Sequence, residues 1–163
     1  MGLETWHADA LERFGTVTAF DLLIRYIQEG RITLDRSRFP VRATYHDPCN
    51  YGRRSESFFG HAFYDEPRWI MDRLFDDWVE MQPSRNHQLC CGGGGGALLT
   101  GYEEERLAYG RRKMERVLAT DAELIVVPCH SCHGQLGGMI REMGLKNLRV
   151  IYLWEAVADA LVL

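Results

Sequence analysis

Apolar residues recur along the chain at spacings that predict several amphipathic helices. Segment 17–28 places them at intervals of three and four, and Gly30 follows as a stop signal. Segment 103–118 opens with three glutamates and carries its basic residues toward the end, an order that suits the helix dipole. Helices are also predicted over 66–79, 131–143 and 155–161.

Short apolar runs between these segments predict the strands. The run at 124–127 has no polar alternation and is ended by Pro128, while runs at 41–46 and 148–153 are similar in length. Unalternating runs are typical of parallel strands covered by helices on both faces. The chain is therefore predicted to have an α/β fold, with a mainly parallel sheet flanked by helices.

Length and charge narrow the class of protein. The 163 residues fit one domain, predicted over 17–163, preceded at 1–16 by an N-terminal extension or a remnant of an expression vector. The formal net charge of -4 argues against non-specific nucleic-acid binding, so no nucleic-acid partner is expected. Because neither a membrane span nor an export signal is visible, we expect a cytoplasmic location.

The cysteines carry most of the chemical information. The chain has five, namely Cys49, Cys90, Cys91, Cys129 and Cys132. Their odd number argues against a disulfide framework. Cys49 and Cys129 follow predicted strands, which places the site at the carboxyl edge of the sheet, where open α/β sheets bind ligands. Cys129 and Cys132 lie at a predicted helix start, where free amides should lower both thiol pKa values and favour chelation.

The residues alone leave several interpretations open. Four thiolates can hold structural zinc, and the sequence from Cys129 to His133 has the Cys-x-x-Cys-His spacing of c-type haem attachment. Cys129 and Cys132 could instead exchange disulfides as in thioredoxin, or the five cysteines could be unrelated core thiols. An iron–sulfur cluster is the interpretation that employs all five.

A run of glycines follows the vicinal cysteines. Residues 92–96 are all glycine, which predicts a loop. Without Cβ atoms, Gly92 and Gly93 could approach a bulky anion and offer amide groups to its sulfurs, so both are candidate cofactor-binding residues. The alternative is a flexible linker.

Three motifs together resemble a known family. They are His46-Asp47-Pro48-Cys49, Cys90-Cys91-Gly92 and Pro128-Cys129-His130-Ser131-Cys132. Their order is similar to that of the cysteine-rich CCG domain of heterodisulfide reductase B and D subunits, which also occurs in iron–sulfur subunits of glycolate, lactate and glycerol-3-phosphate oxidation. The stretches at 46–53 and 66–71 look most like the heterodisulfide-reductase-like subunit of the membrane complex associated with dissimilatory sulfite reductase.

The resemblance implies a cofactor and an activity. In that family, five motif cysteines bind a non-cubane [4Fe-4S] cluster at which a disulfide is reduced, and the resemblance implies that this chain is an iron–sulfur oxidoreductase. The implied ligands, which would also be the catalytic residues, are Cys49, Cys90, Cys91, Cys129 and Cys132. Zinc remains an alternative, or a substitute in purified protein, and so does an iron–sulfur module that interacts or regulates without turnover.

The resemblance also implies partners. The substrate would be a disulfide or trisulfide of a small sulfur carrier protein in dissimilatory sulfur metabolism. This chain has no Cys-x-x-Cys-x-x-Cys run, so electrons would come from a ferredoxin-like cluster domain or subunit, and we expect a fragment of a longer protein or a subunit. A membrane-bound redox complex could hold it at the inner face of the membrane through partner subunits.

Other polar residues receive secondary roles. His46, His130 and His133 are candidate proton donors or hydrogen-bond partners of the centre, and His46 is assigned to the catalytic set. For His130 and His133 the alternative is an ordinary position at a helix start. Arg53, Arg54 and Lys113 are interpreted as solvated surface, with contact to an acidic partner as the alternative.

Overall fold

The computed structural model describes residues 6–162 of the chain. Part of the predicted extension at 1–16 and the last residue of the predicted domain at 17–163 lie outside the described residues. Within the extension, a short helix, α1, spans Ala8–Arg13. The boundary between extension and domain stays a prediction.

A four-stranded parallel sheet forms the centre of the fold. Its strands are β1 (Ala43–Tyr45), β2 (Trp78–Glu80), β3 (Leu124–Val127) and β4 (Arg149–Tyr152). Their spatial order is β2-β1-β3-β4, and all three pairings are parallel. The predicted α/β fold with a parallel sheet is confirmed.

Six further α-helices in the described part of the chain connect or cover the strands. They are α2 (Ala19–Gln28), α3 (Ser55–Phe59), α4 (Asp65–Leu74), α5 (Glu103–Leu118), α6 (His130–Glu142) and α7 (Leu153–Asp159). The first of these begins with a capping box, in which Thr18 and Asp21 each accept a hydrogen bond from the other's backbone amide. None of the helices within residues 6–162 has the length and apolarity needed to cross a lipid bilayer.

Strand β3 divides the core into two layers. Leu124 and Val126 point into one layer, which is filled by residues from α2, α4 and α7, whereas Ile125 and Val127 point into the other, filled from α5 and α6. All four side chains are fully buried. The unalternating run thus predicted a strand covered on both faces, as the structure has it.

The helix predicted over 66–79 is wrong in its second half. It ends at Leu74, after which Phe75 is extended and buried, and Trp78–Glu80 forms β2. Trp78 follows Leu74 by four residues and therefore continued the apparent helical stripe. Its indole instead donates to a carboxylate oxygen of Asp72 at 2.8 Å, at the edge of the sheet.

Candidate metal centre

Two neighbouring strands bring the first and last cysteine motifs together. β1 ends at Tyr45 and β3 ends at Val127, and the two strands pair directly. The backbone amide of His46 continues this pairing by donating to the carbonyl of Val126 at 3.1 Å. The loops that carry Cys49 and Cys129 therefore leave the same edge of the sheet side by side.

The vicinal cysteines arrive through the connection that follows β2. Arg53, in the turn after Cys49, donates to the carbonyls of Asn86 and Gln88 at 2.8 and 3.0 Å. These bonds tie the segment before Cys90 to the turn after Cys49. The sequence does not reveal this connection, because its pattern assigns β2 to a helix.

All five cysteine side chains meet at this edge. The thiol of Cys90 interacts with those of Cys49 and Cys91, and the thiol of Cys132 interacts with those of Cys91 and Cys129. The sulfur atoms of Cys91 and Cys132 are 3.3 Å apart. The five sulfurs consequently form one unbroken series of contacts.

The centre has a buried side and a partly open side. His46, Cys91 and Cys132 are almost completely buried, and their ligating atoms all lie within 4.8 Å of one another. The other three cysteines are half-buried, namely Cys49, Cys90 and Cys129. Solvent therefore reaches the centre from the side of these three.

Two of the five thiols have a lowered pKa. Hydrogen bonds from the thiols of Cys49 and Cys91 lower the pKa of Cys90 to about 2, with help from the amide of Gly92. The thiol of Cys132 lowers the pKa of Cys129 to about 6, and the amides at the start of α6 contribute. The amides at the start of α6 thus act on Cys129 in the predicted direction, although the contact with the Cys132 thiol has the larger effect.

The other three thiols have a raised pKa. The pKa of Cys132 is raised, first by its hydrogen bond to Cys129, so the prediction of a lowered value there is wrong. The pKa of Cys49 is raised, first by the hydrogen bond between its thiol and Cys90. The pKa of Cys91 rises to about 11, because its contact with Cys90 and its burial outweigh the lowering by Cys132. A bound metal would displace the protons from these three thiols.

His46 supplies a neutral imidazole at the buried side. Burial lowers the pKa of its ring well below the usual range, and the charge of Lys113 acts in the same direction. Its Nε2 lies 3.3 Å from the sulfur of Cys132, and its Nδ1 is buried with no hydrogen-bond partner among the described residues. The ring is thus placed to contact a sulfur or a metal.

The glycine run borders the vicinal cysteines closely. The amides of Gly92 and Gly93 donate to the sulfurs of Cys90 and Cys91 at 3.4 Å each. A Cβ atom on Gly93 would lie 2.6 Å from the Cβ of Gln135, and Gly92 has a φ of +87°. These two positions require glycine for space and for backbone conformation.

The donor set fits a cluster of thiophilic metal ions. It offers five soft thiolate ligands, backbone amides aimed at two of the sulfurs, and a neutral imidazole. The residues that would hold such a group are those that the sequence predicted. Their assignment as ligands remains a prediction.

The chain matches the model of a known protein family. A model described as CCG, the cysteine-rich domain, matches residues 43–137, which is more than half of the chain and includes all five cysteines. This chain belongs to the CCG family. That membership agrees with the resemblance carried by the three cysteine motifs.

Several curated relatives of this CCG domain are longer proteins. A probable membrane-anchored ferredoxin of Chromohalobacter salexigens is 37% identical over 83% of the chain and 19% of its own length. The D component of dihydromethanophenazine:CoB--CoM heterodisulfide reductase is 32% identical in Methanosarcina barkeri, over 72% of the chain and 27% of the relative. The same component in Methanosarcina mazei is 30% identical, over 91% of the chain and 34% of the relative.

These alignments cover only part of each relative. The chain spans between about a fifth and a third of the length of these three relatives. No solved structure matches it significantly.

A buried ion-pair network supports the first motif of the CCG domain. Arg68 of α4 binds both carboxylate oxygens of Asp47 at 2.9 Å and both oxygens of Glu80 at 2.6 and 2.8 Å. The backbone amide of Arg85 also donates to Asp47, at 2.7 Å. The network joins the loop before Cys49 to α4, to β2 and to the loop that leads to Cys90. The role of Arg68 is not visible in the sequence, because nothing in the linear pattern pairs it with Asp47.

The basic residues assigned to the surface have different positions. Lys113 is only 1% exposed, so its assignment to solvated surface is wrong. It lies on the buried face of α5 beside Met114 and Val117, which belong to the same core layer as Cys91 and Cys132. Arg53 is half-buried through its bonds to two carbonyls, whereas Arg54 is exposed as expected.

The two histidines of the last motif contact Tyr152. His130 begins α6 and its Nδ1 lies 2.5 Å from the Tyr152 hydroxyl, while the His133 ring stacks on Tyr152 at 4.0 Å between centroids. Tyr152 is the last residue of β4. These contacts connect the start of α6 to the edge of the sheet. Any role of the two imidazoles in proton transfer stays a prediction.

Proposed function

We propose that this CCG domain binds a non-cubane [4Fe-4S] cluster and reduces a disulfide or trisulfide of a small sulfur carrier protein. The ligands of the cluster would be Cys49, Cys90, Cys91, Cys129 and Cys132. For a disulfide, two electrons and two protons give two thiols. A ferredoxin-like cluster domain or a separate electron-donor protein would supply these electrons.

One observation carries this proposal more than any other. The five thiols form a continuous series of contacts that begins at Cys49 and ends at Cys129. A single zinc ion needs four ligands, and dithiol exchange needs two, so either would leave cysteines of the series unused. The names of the relatives, a ferredoxin and a component of heterodisulfide reductase, support a role in electron transfer.

The two sides of the centre suggest a division of roles. When bound, the cluster would accept electrons one at a time and offer iron to a substrate sulfur. Cys49, Cys90 and Cys129 border the partly open side, where a disulfide could approach. We assign His46 as a hydrogen-bond partner of the Cys132 sulfur, because its ring is buried and neutral.

Structural zinc is the second candidate, and the buried side of the centre favours it. The ligating atoms of His46, Cys91 and Cys132 already lie within 4.8 Å of one another, and imidazole with thiolates is a common zinc ligand set. Such a site would not need Cys49, which is half-buried and contacts Cys90 instead. Zinc bound at one ion per chain, and retained by Cys49→Ser, would establish this alternative.

Disulfide turnover tests the proposed activity. Anaerobically reconstituted protein is supplied with a low-potential chemical reductant and either an oxidised sulfur carrier protein or the CoB–CoM heterodisulfide. The wild type should produce two thiols for each disulfide consumed. Cys49→Ser should produce no thiol. Equal rates with metal-free protein, retained when Cys90 and Cys91 are changed to Ser, would support dithiol exchange instead.

A further inference from the structure

Lys113 is a buried cation on the core-facing side of α5. It is 1% exposed, and the neighbouring positions on the same face are Gly110, Met114 and Val117, all buried. The core layer there includes Cys91 and Cys132. Because a lysine is almost never fully buried without a charged partner, its surroundings identify what its charge stabilises.

The groups that act on Lys113 include three of the five cysteines. Burial lowers the pKa of its ammonium group to about 8, and Asp47, Cys91, Cys132 and Cys90 act against this lowering. With a pKa of about 8 the group remains mainly charged at neutral pH. The carboxylate of Asp47 already has the Arg68 guanidinium in direct contact on both oxygens. Arg68 is shared with Glu80, so Asp47 still acts on Lys113 first. The sulfurs of the three cysteines are its other partners, and they become anions when a metal is bound.

We propose that the charge of Lys113 stabilises the reduced form of the metal centre and raises its reduction potential. This inference rests on the proposed iron–sulfur function. Each electron added to a thiolate-ligated cluster adds negative charge in a poorly solvated environment. A fixed cation nearby favours the reduced form, and the effect is strongest where water is excluded. Lys113 would thus set how readily the domain accepts electrons from its donor.

The same helix supplies a matched control. Arg112 precedes Lys113 in sequence, carries the same charge and is exposed to solvent. Solvent screens its charge, so Arg112→Met should leave the potential of the centre almost unchanged. Lys113→Met removes the buried charge while keeping a long apolar side chain in the core.

The test is a reductive titration of reconstituted protein with dithionite, followed by electron paramagnetic resonance. Lys113→Met should lower the equilibrium constant for one-electron reduction at least about tenfold, a shift of about 59 mV to more negative potential. If Lys113→Met does not fold, Lys113→Gln takes its place, and Lys113→Arg should restore a potential close to that of the wild type.

Two results would overturn the inference in different ways. Equal midpoint potentials of the wild type, Lys113→Met and Arg112→Met would show that the charge does not act on the centre. The same conclusion would follow if Lys113→Met only lowered the free energy of unfolding of the metal-free chain. Absence of iron and sulfide from the reconstituted wild type would instead contradict the proposed function itself, and this inference with it.

Discussion

Arg68 holds Asp47 through two parallel hydrogen bonds of 2.9 Å, and both side chains are almost completely buried. Asp47 lies two residues before Cys49, and the backbone amide of Arg85 donates to its Oδ2, which also accepts from Arg68. This pair therefore fixes the cysteine-bearing turn after β1 against α4 and against the loop that leads to the vicinal cysteines.

Removing Arg68 should destabilise the metal-free chain strongly. Arg68→Met leaves the buried carboxylate of Asp47 without its cation, and breaking a buried pair in this way costs about 3–5 kcal/mol. Urea unfolding followed by circular dichroism measures the change. Arg42→Met is the control, because the Arg42–Asp77 pair is exposed and should contribute about 0–1 kcal/mol to the free energy of unfolding. Equal losses in the two variants would contradict the role assigned to Arg68.

A methyl group at Gly93 should impair the centre. The Cβ of Gly93→Ala would lie 2.6 Å from the Cβ of Gln135 and 2.7 Å from the carbonyl oxygen of Ser131, so the loop after Cys91 must shift. We expect a loss of about 1–3 kcal/mol in the free energy of unfolding and less iron bound after reconstitution. Gly94→Ala meets nothing within 4 Å and serves as the control. Identical iron content in the two variants would refute the close fit of the loop.

The aromatic cluster around Phe20 should contribute strongly to stability. Phe20 of α2 is 2% exposed and packs on the rings of Tyr51, Phe63 and Trp154, of which Tyr51 lies in the turn after Cys49. Phe20→Ala should cost about 3–5 kcal/mol in unfolding free energy. Phe59→Ala, at a ring that is 66% exposed, should change it little. A loss below about 1 kcal/mol for Phe20→Ala would show that this core layer is loosely packed.

The sequence predicted those parts of the fold that depend on local pattern. The bounds of α5 and β3 were predicted to the residue, because charge order at the helix ends and an uninterrupted apolar run are strong local signals. Strand β2 was missed because it has only three residues and Trp78 continued a helical spacing.

The candidate site, too, could be predicted only where the local sequence pattern determines the position of a residue. The cysteine motifs identified the side chains that meet at the sheet edge, since strand ends and helix starts place them there. Arg68 and Lys113 were missed or misassigned because their roles depend on contacts across the fold. Arg68 reaches Asp47 over 21 positions, and Lys113 is buried although its residue type is typical of the surface. Neither property has a local sequence signal.

The most direct test of the central claim is iron and acid-labile sulfide analysis of anaerobically reconstituted protein. The wild type should hold about four iron and four sulfide per chain, the composition of one [4Fe-4S] cluster. Single changes of Cys49, Cys90, Cys91, Cys129 or Cys132 to Ser should each lower this content. One zinc ion per chain without sulfide, or full iron content in Cys49→Ser, would contradict a cluster held by all five cysteines.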